Sequence, residues 1–378
     1  MTTTPVEAVR LPDPYPFYAA LVADSPFAYD RTLGAWVAAD AAAVRAVLGS
    51  GALRVRPPAE PVPAGITGTA AGEVFGDLVR MTDGDTHTRL KAVVTQALGS
   101  ADTARAGRLA AEFTHEALAA GGPPPYEELM TAVPARVVAA LCGLADGADR
   151  EAARAVGDFV QCIPASATPG QQRAAARAAE RLRELLGPGI ESGADGLLGE
   201  LVRAAGRASW AAAAPLLSNA VGFLSQTYDA TAGLIGNTLV ALARGAAVPG
   251  TARAAEALVR EVVRYDAPVQ NTRRFAAEPF VHGDVKVEAG AQILVLLAAA
   301  NRDPSVNPEP HLLLPDRADP VVFTFGAAAH RCPGRELATA LATAVVTELL
   351  RAGVGPSDLP AAPAYRPSPN ARIPLLGS

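Results

Sequence analysis

The stretch Phe325-Gly326-Ala327-Ala328-Ala329-His330-Arg331-Cys332-Pro333-Gly334 decides the reading of this chain. It is a run of small residues that delivers one cysteine immediately before a helical pattern, Gly334 to Arg351. A thiolate at a helix N-terminus is stabilised by the positive end of the helix dipole and by free backbone N–H groups, which lowers its pKa and tempers its donation to a metal. Small side chains at Ala327 to Ala329 let the backbone lie flat against something large and planar. On local residues alone the stretch reads first as a buried structural cysteine in a loop, because a single Cys near Gly is common.

Working outward, the chain has 378 residues, 50% hydrophobic and 19% charged, with a formal net charge of -5. That balance excludes disorder and collagen-like repeats and suits one domain over residues 1–378. No block of Lys or Arg gives a footprint for nucleic acid or for an anionic membrane surface. Met1-Thr2-Thr3-Thr4-Pro5-Val6-Glu7 lacks the basic start and apolar core of a signal peptide, and no apolar run approaches ~20 residues. The expected location is the cytoplasm, with no membrane contact. Three cysteines, Cys142, Cys162 and Cys332, are an odd number spread over a long chain, the pattern of reduced thiols.

Helical periodicity dominates the middle: Thr86 to Leu98, Ala101 to Ala120, Tyr126 to Leu144, Arg150 to Val160, Gln171 to Leu186, Gly196 to Ala205 and Ala211 to Arg244, then Ala252 to Tyr265. Strand-like text is confined to Gly34 to Ala38, Thr272 to Phe275, Val281 to Val287 and Ile293 to Leu297. Asp40 is set to cap a helix over Ala41 to Leu48, and Leu53 to Thr67 is Pro-rich and irregular. The fold class is therefore mainly α with small β-sheets: β-rich parts at about 30–40 and 270–300, and a helical body at about 86–265 and 334–351. No internal repeat or low-complexity linker marks a boundary.

The cysteine stretch resembles the heme-binding loop of cytochrome P450, whose pattern runs Phe-x-x-Gly-x-(His/Arg)-x-Cys-x-Gly. Phe325, His330, Cys332 and Gly334 match it, while Ala328 stands where the family usually has Gly, a methyl that strains the turn. The resemblance implies heme b, held between a long central helix and this loop, with Cys332 as axial iron ligand. It extends to Asp13-Pro14-Tyr15-Pro16 and Asn301-Arg302-Asp303-Pro304, so it spans nearly the whole chain.

Glu261-Val262-Val263-Arg264 sets a carboxylate and a guanidinium three residues apart on one helix face, which taken alone reads as a surface ion pair. It lies about seventy residues before Cys332 and resembles the family's Glu-x-x-Arg, with Arg317 falling where a third member belongs. The resemblance gives these three a structural role in holding the cysteine loop. It also puts His87, Lys91, Arg273 and His330 where partners of the heme propionates are expected. His87 and Lys91 are four residues apart, so both can face one carboxylate; the family usually has Arg at the second position, and Lys91 offers a point charge instead of a fork. A solvated helix face is the other reading of that pair.

Family members carry (Ala/Gly)-Gly-x-(Asp/Glu)-Thr-Thr on the central helix, where the acid and the first Thr guide protons to oxygen. Here the corresponding residues are Gln226-Thr227-Tyr228-Asp229-Ala230-Thr231. Asp229 is the acid, Ala230 replaces the relay Thr, and Gln226 and Thr227 replace the small pair. General acid–base help of this kind is commonly worth 10²- to 10⁴-fold. Three ways out are open: a substrate hydroxyl or an ordered water completes the relay; Gln226, Thr227 or Thr231 stands in; or the reaction needs no O₂ cleavage.

The expected activity is that of a heme-thiolate monooxygenase taking electrons from a ferredoxin and its reductase. Arg331 and Arg335 are candidates for the docking patch. The expected substrate is an amphipathic small molecule or carrier-bound intermediate of bacterial natural-product biosynthesis, met by Gln226, Tyr228, Gln270 and Asn271. The chain is expected to be a monomer. Ala230 raises the alternative of a non-hydroxylating use of the iron, such as aryl or phenol coupling, rearrangement or nitrogen transfer. A catalytically silent heme-binding recruitment module is the third reading. The Ala- and Gly-rich region from Ser166 to Gly206 has few bulky anchors and suggests a mobile lid.

Overall fold

The run Ile293-Leu294-Val295-Leu296 has no polar side because both of its faces are covered. Ile293 and Val295 pack with Val44, Val47 and Phe323, while Leu294 and Leu296 pack with Val37, Tyr15 and Tyr18. A strand buried on both faces reads as continuous hydrophobicity instead of alternation.

The structure, a computed structural model, describes residues 3–144, 147–164, 166–193 and 195–377. Its helices are α1 (Pro5–Ala8), α2 (Tyr15–Asp24), α3 (Ala41–Gly49), α4 (Ala70–Asp77), α5 (Gly84–Gly99), α6 (Thr103–Leu118) and α7 (Tyr126–Leu141). They continue with α8 (Ala148–Val160), α9 (Pro169–Ser192), α10 (Leu197–Arg207), α11 (Ala213–Ala243), α12 (Ala252–Tyr265), α13 (Leu297–Asn301) and α14 (Arg335–Arg351). The strands are β1 (Phe27–Asp30), β2 (Ala35–Ala38), β3 (Leu53–Arg54), β4 (Thr272–Ala276), β5 (Phe280–His282), β6 (Val285–Val287) and β7 (Gln292–Val295). The protein is mainly helical with small sheets, as the periodicity predicts.

Five strands form one sheet in the order β1-β2-β7-β4-β3. β2 and β7 run parallel, with Val37 opposite Leu294, and the other pairs are antiparallel, with Arg273 opposite Leu294. β5 and β6 form a separate hairpin whose turn takes Gly283 through a φ of 57°. The predicted strand Ile293 to Leu297 stops early because Leu297 opens α13.

The chain divides into two compact units, Met1–Ala59 with Ala232–Cys332 and Leu349–Ser378, and Glu60–Thr231 with Pro333–Glu348. The first contains both sheets and is tied together by Arg372, whose side chain is fully buried. Its Nε donates to Asp266 Oδ1 at 2.8 Å, its other nitrogens reach the carbonyls of Val9, Leu11 and Pro12, and its guanidinium lies 3.5 Å from the centre of the Tyr365 ring.

The second unit is built from helices. α9 starts with a reciprocal cap in which Thr168 Oγ1 accepts from Gln171 N and Gln171 Oε1 accepts from Thr168 N, with Pro169 at the first helical position. It ends on Gly193 in the left-handed region, φ 60°. The small residues that suggest a weakly anchored lid are its packing face: Ala175, Ala178 and Ala179 are buried with Leu182 and Leu186. Arg183 pairs with Glu73 of α4 at 2.6 Å. Within that lid region Ala194 lies outside the described residues.

Candidate active site

The cysteine loop is a folded backbone unit. Gly326 N donates to Phe323 O and Cys332 N to Phe325 O, both at 2.7 Å, with a tight turn over Ala328–His330 between them. Gly326 has a φ of 68°, and Ala328 has one of 52° in the left-handed region that favours Gly. The departure noted at Ala328 therefore falls on a position whose backbone disfavours any Cβ. Cys332 is half-buried, whereas Cys142 and Cys162 are buried and their thiols are pushed up, to about 12 and about 11, by loss of solvent.

Beneath the loop stands a buried polar lattice in the same unit. Glu261 and Arg264 of α12 form a two-pronged pair, and Arg317 Nε reaches Glu261 Oε1 at 3.3 Å. The Leu314 amide also donates to Glu261 Oε1, at 3.1 Å. Arg264 donates to the carbonyls of Asn301, Pro310 and Leu312. Thus Glu261, Arg264 and Arg317 are brought together, and the irregular 308–317 segment hangs on them. Asn301 makes the next link: its Oδ1 accepts from Phe323 N at 2.6 Å and its Nδ2 donates to Thr324 Oγ1, which in turn donates to Val263 O, both at 2.7 Å. Neither Asn301 nor Thr324 is singled out by sequence reasoning, although Asn301 lies in the family-like Asn301-Arg302-Asp303-Pro304.

Arg273 sits on β4, half-buried, with no acid partner among the described residues, and burial pulls its guanidinium below its ordinary value. A desolvated cation of this kind is satisfied by an anionic ligand. In the other unit, α5 carries His87, 3% exposed, and Lys91, half-buried, one turn apart on one face. His330 closes the turn before Cys332. Within the first unit, the Cys332 thiol, the His330 imidazole and the desolvated Arg273 are donors of the kind that an iron porphyrin with carboxylates takes.

On α11 the site residues diverge. Gln226 is exposed, and Thr227 turns its hydroxyl back to Phe223 O at 2.7 Å, as helical Thr commonly does. Asp229 and Ala230 are half-buried, and Thr231 is 1% exposed with its hydroxyl unpartnered among the described residues. Tyr228 lies against α8, where a Cβ at Gly157 would come within 2.8 Å of its Oη. Gln270 and Asn271, read as polar pocket groups, are fully buried; Gln270 Nε2 donates to Ala267 O and Asn271 Nδ2 to Pro369 O. Their amide nitrogens serve the local backbone instead of a ligand.

A family model described as cytochrome P450 matches residues 254–352. The chain is similar to 6-deoxyerythronolide B hydroxylase of Saccharopolyspora erythraea, 30% identical over 276 residues that cover 70% of this chain and 67% of that one. Among solved structures it resembles CalO2, with a TM-score of 0.83 at 24% identity, covering 99% of this chain and 97% of that one. It also resembles P450BioI, solved in complex with hexadec-9Z-enoic acid ligated acyl carrier protein: TM-score 0.80, 21% identity, 96% and 97% coverage. No helix among the described residues is long and apolar enough to cross a membrane.

Proposed function

The chain belongs to the cytochrome P450 family of heme-thiolate monooxygenases, and on that premise we propose that it hydroxylates an amphipathic intermediate of bacterial natural-product biosynthesis. The observation that carries this reading is the backbone-closed loop around Cys332, the least buried of the three thiols, braced through Asn301 and Thr324 to α12.

Heme b supplies oxygen activation at iron when bound, and a thiolate ligand favours O–O cleavage. Cys332 provides that ligand. Its backbone amide, committed to Phe325 O, keeps the loop from collapsing when the sulfur is engaged. Arg273 and His330 would hold carboxylate, and the desolvation of Arg273 is the cost that an anion offsets; the family resemblance gives His87 and Lys91 the same task. Asp229 holds and moves a proton at its carboxylate, and Ala230 leaves the next hydroxyl to the substrate or to an ordered water. An amphipathic substrate bearing a hydroxyl suits that arrangement.

The relative named 6-deoxyerythronolide B hydroxylase supports a substrate of this type, and the carrier-bound ligand of P450BioI makes a carrier-tethered form a reasonable variant. Electrons come from a ferredoxin docking near Arg331 and Arg335, in a cytoplasmic monomer. Ala230 favours one second reading, a coupling or rearrangement that needs no proton relay. The test is reconstitution with a surrogate ferredoxin and its reductase: substrate-dependent NADPH use with a product heavier by one oxygen supports hydroxylation. A product with no added oxygen supports the second reading.

A further inference from the structure

Ser225 of α11 is 6% exposed, and its Oγ has no hydrogen-bond partner among the described residues. Serine inside a helix usually bonds back to the carbonyl four residues earlier, as Thr227 does here with Phe223 O and Thr238 with Leu234 O. A buried hydroxyl left unmatched costs about 1–3 kcal/mol, so each such group in a folded protein calls for a ligand or an ordered water.

Helix geometry says where that hydroxyl points. At 3.6 residues per turn each step turns about 100°, so Ser225 lies about 40° from Asp229, with Cβ atoms about 5–6 Å apart. Thr231, the other hydroxyl buried and unpartnered on this helix, lies about 200° from Asp229, on the opposite side. Gln226 is exposed, and the Thr227 hydroxyl is committed to Phe223. Ser225 is thus the buried, uncommitted hydroxyl that shares a face with the acid.

We infer that Ser225 is a positioning residue for proton movement through Asp229, its Oγ joined to that carboxylate by one water, one turn before the acid and about 140° around the helix from Ala230. The balance is simple: the serine oxygen accepts a proton from the solvent side and releases its own toward the carboxylate, and its composition is unchanged. A gap of about 5–6 Å between Cβ atoms is what a single bridging water spans. The inference rests on the reading of Asp229 as the proton-handling acid.

Ser225→Ala separates this role from a packing role, because it removes the hydroxyl and keeps a side chain of similar volume. Expected are an unfolding midpoint close to that of the parent protein, an unchanged ferrous–CO spectrum, and a several-fold rise in peroxide released per NADPH consumed. The solvent deuterium effect on turnover should also grow, and Ser225→Thr should restore both readouts. Unchanged peroxide yield and isotope effect in Ser225→Ala would overturn the inference. Asp229→Asn is measured in parallel: if it leaves coupling intact, the reading of Asp229 fails; if it uncouples while Ser225→Ala is silent, only the role of Ser225 fails.

Discussion

Arg264 Nη2 lies 2.6 Å from Glu261 Oε1 and its Nε lies 3.1 Å from Oε2, in a pair whose side chains are 0% and 1% exposed. Because Arg264 also holds the Pro310 and Leu312 carbonyls, it organises backbone that has no regular secondary structure to organise it, and through the Asn301 carbonyl it ties that backbone to the end of α13. Breaking a buried pair by removing one partner typically costs about 3–5 kcal/mol. Glu261→Gln and Arg264→Ala are each expected to lower stability in denaturant by that amount and to yield protein poor in heme. Arg264→Lys keeps the charge and loses the fork, and should rescue little. Full heme content in Arg264→Ala would contradict the bracing role.

Ala328 offers the opposite kind of test. An L-residue in the left-handed region costs about 1–2 kcal/mol, and Gly returns part of that gain through its freer unfolded chain. Ala328→Gly is expected to stabilise the protein by about 0.5–1 kcal/mol, read from the denaturant midpoint. A loss of stability would mean that the methyl makes compensating contacts.

Asp77 carries a pH dependence of definite sign. Burial pushes its carboxyl up, against a hydrogen bond from Ser218 Oγ at 3.2 Å and the charge of Arg183. A raised carboxyl pKa means that folding favours the protonated form, so its contribution is best below the ordinary value and is lost as pH rises through the folded one. Asp77→Asn is therefore expected to raise the unfolding midpoint at neutral pH, with the gain vanishing below about pH 4. A gain that persists in acid would assign the effect to packing.

At Ala230 the missing hydroxyl can be put back. Ala230→Thr is expected to raise product formed per NADPH several-fold with substrates that carry no hydroxyl near the reacting carbon, consistent with the scale of acid–base assistance. Unchanged coupling would show that the proton path is complete without side chain 230.

The parts of this architecture that are legible in the sequence are those with local causes. The helix periodicity from Thr86 onward, the Asp40 cap, which accepts from Ala43 N at 2.8 Å, and the Gly283 turn all act within a few residues. Strand β1 escapes notice because Phe27-Ala28-Tyr29-Asp30 is short and lies at a sheet edge, and its pairing with β2 is visible only in three dimensions. The Arg372–Asp266 pair joins residues more than a hundred positions apart, and Arg372 reaches Val9, Leu11 and Pro12 at the far end of the chain. No spacing rule points to such a contact. For the site, the family resemblance points to Glu261, Arg264 and Arg317, but the Asn301 and Thr324 link depends on the Phe323 amide in irregular backbone and on the Val263 carbonyl in the last turn of α12. Ser225 is invisible to motif reading for a different reason: what distinguishes it is a hydrogen bond that it does not make.

The central claim, thiolate ligation through Cys332, is tested most directly by the ferrous–CO difference spectrum of the purified protein beside Cys332→His. The account expects a strongly red-shifted Soret band in the parent protein that is lost in Cys332→His. A parent band at the position of histidine or neutral-thiol ligation, or no bound heme, would contradict it.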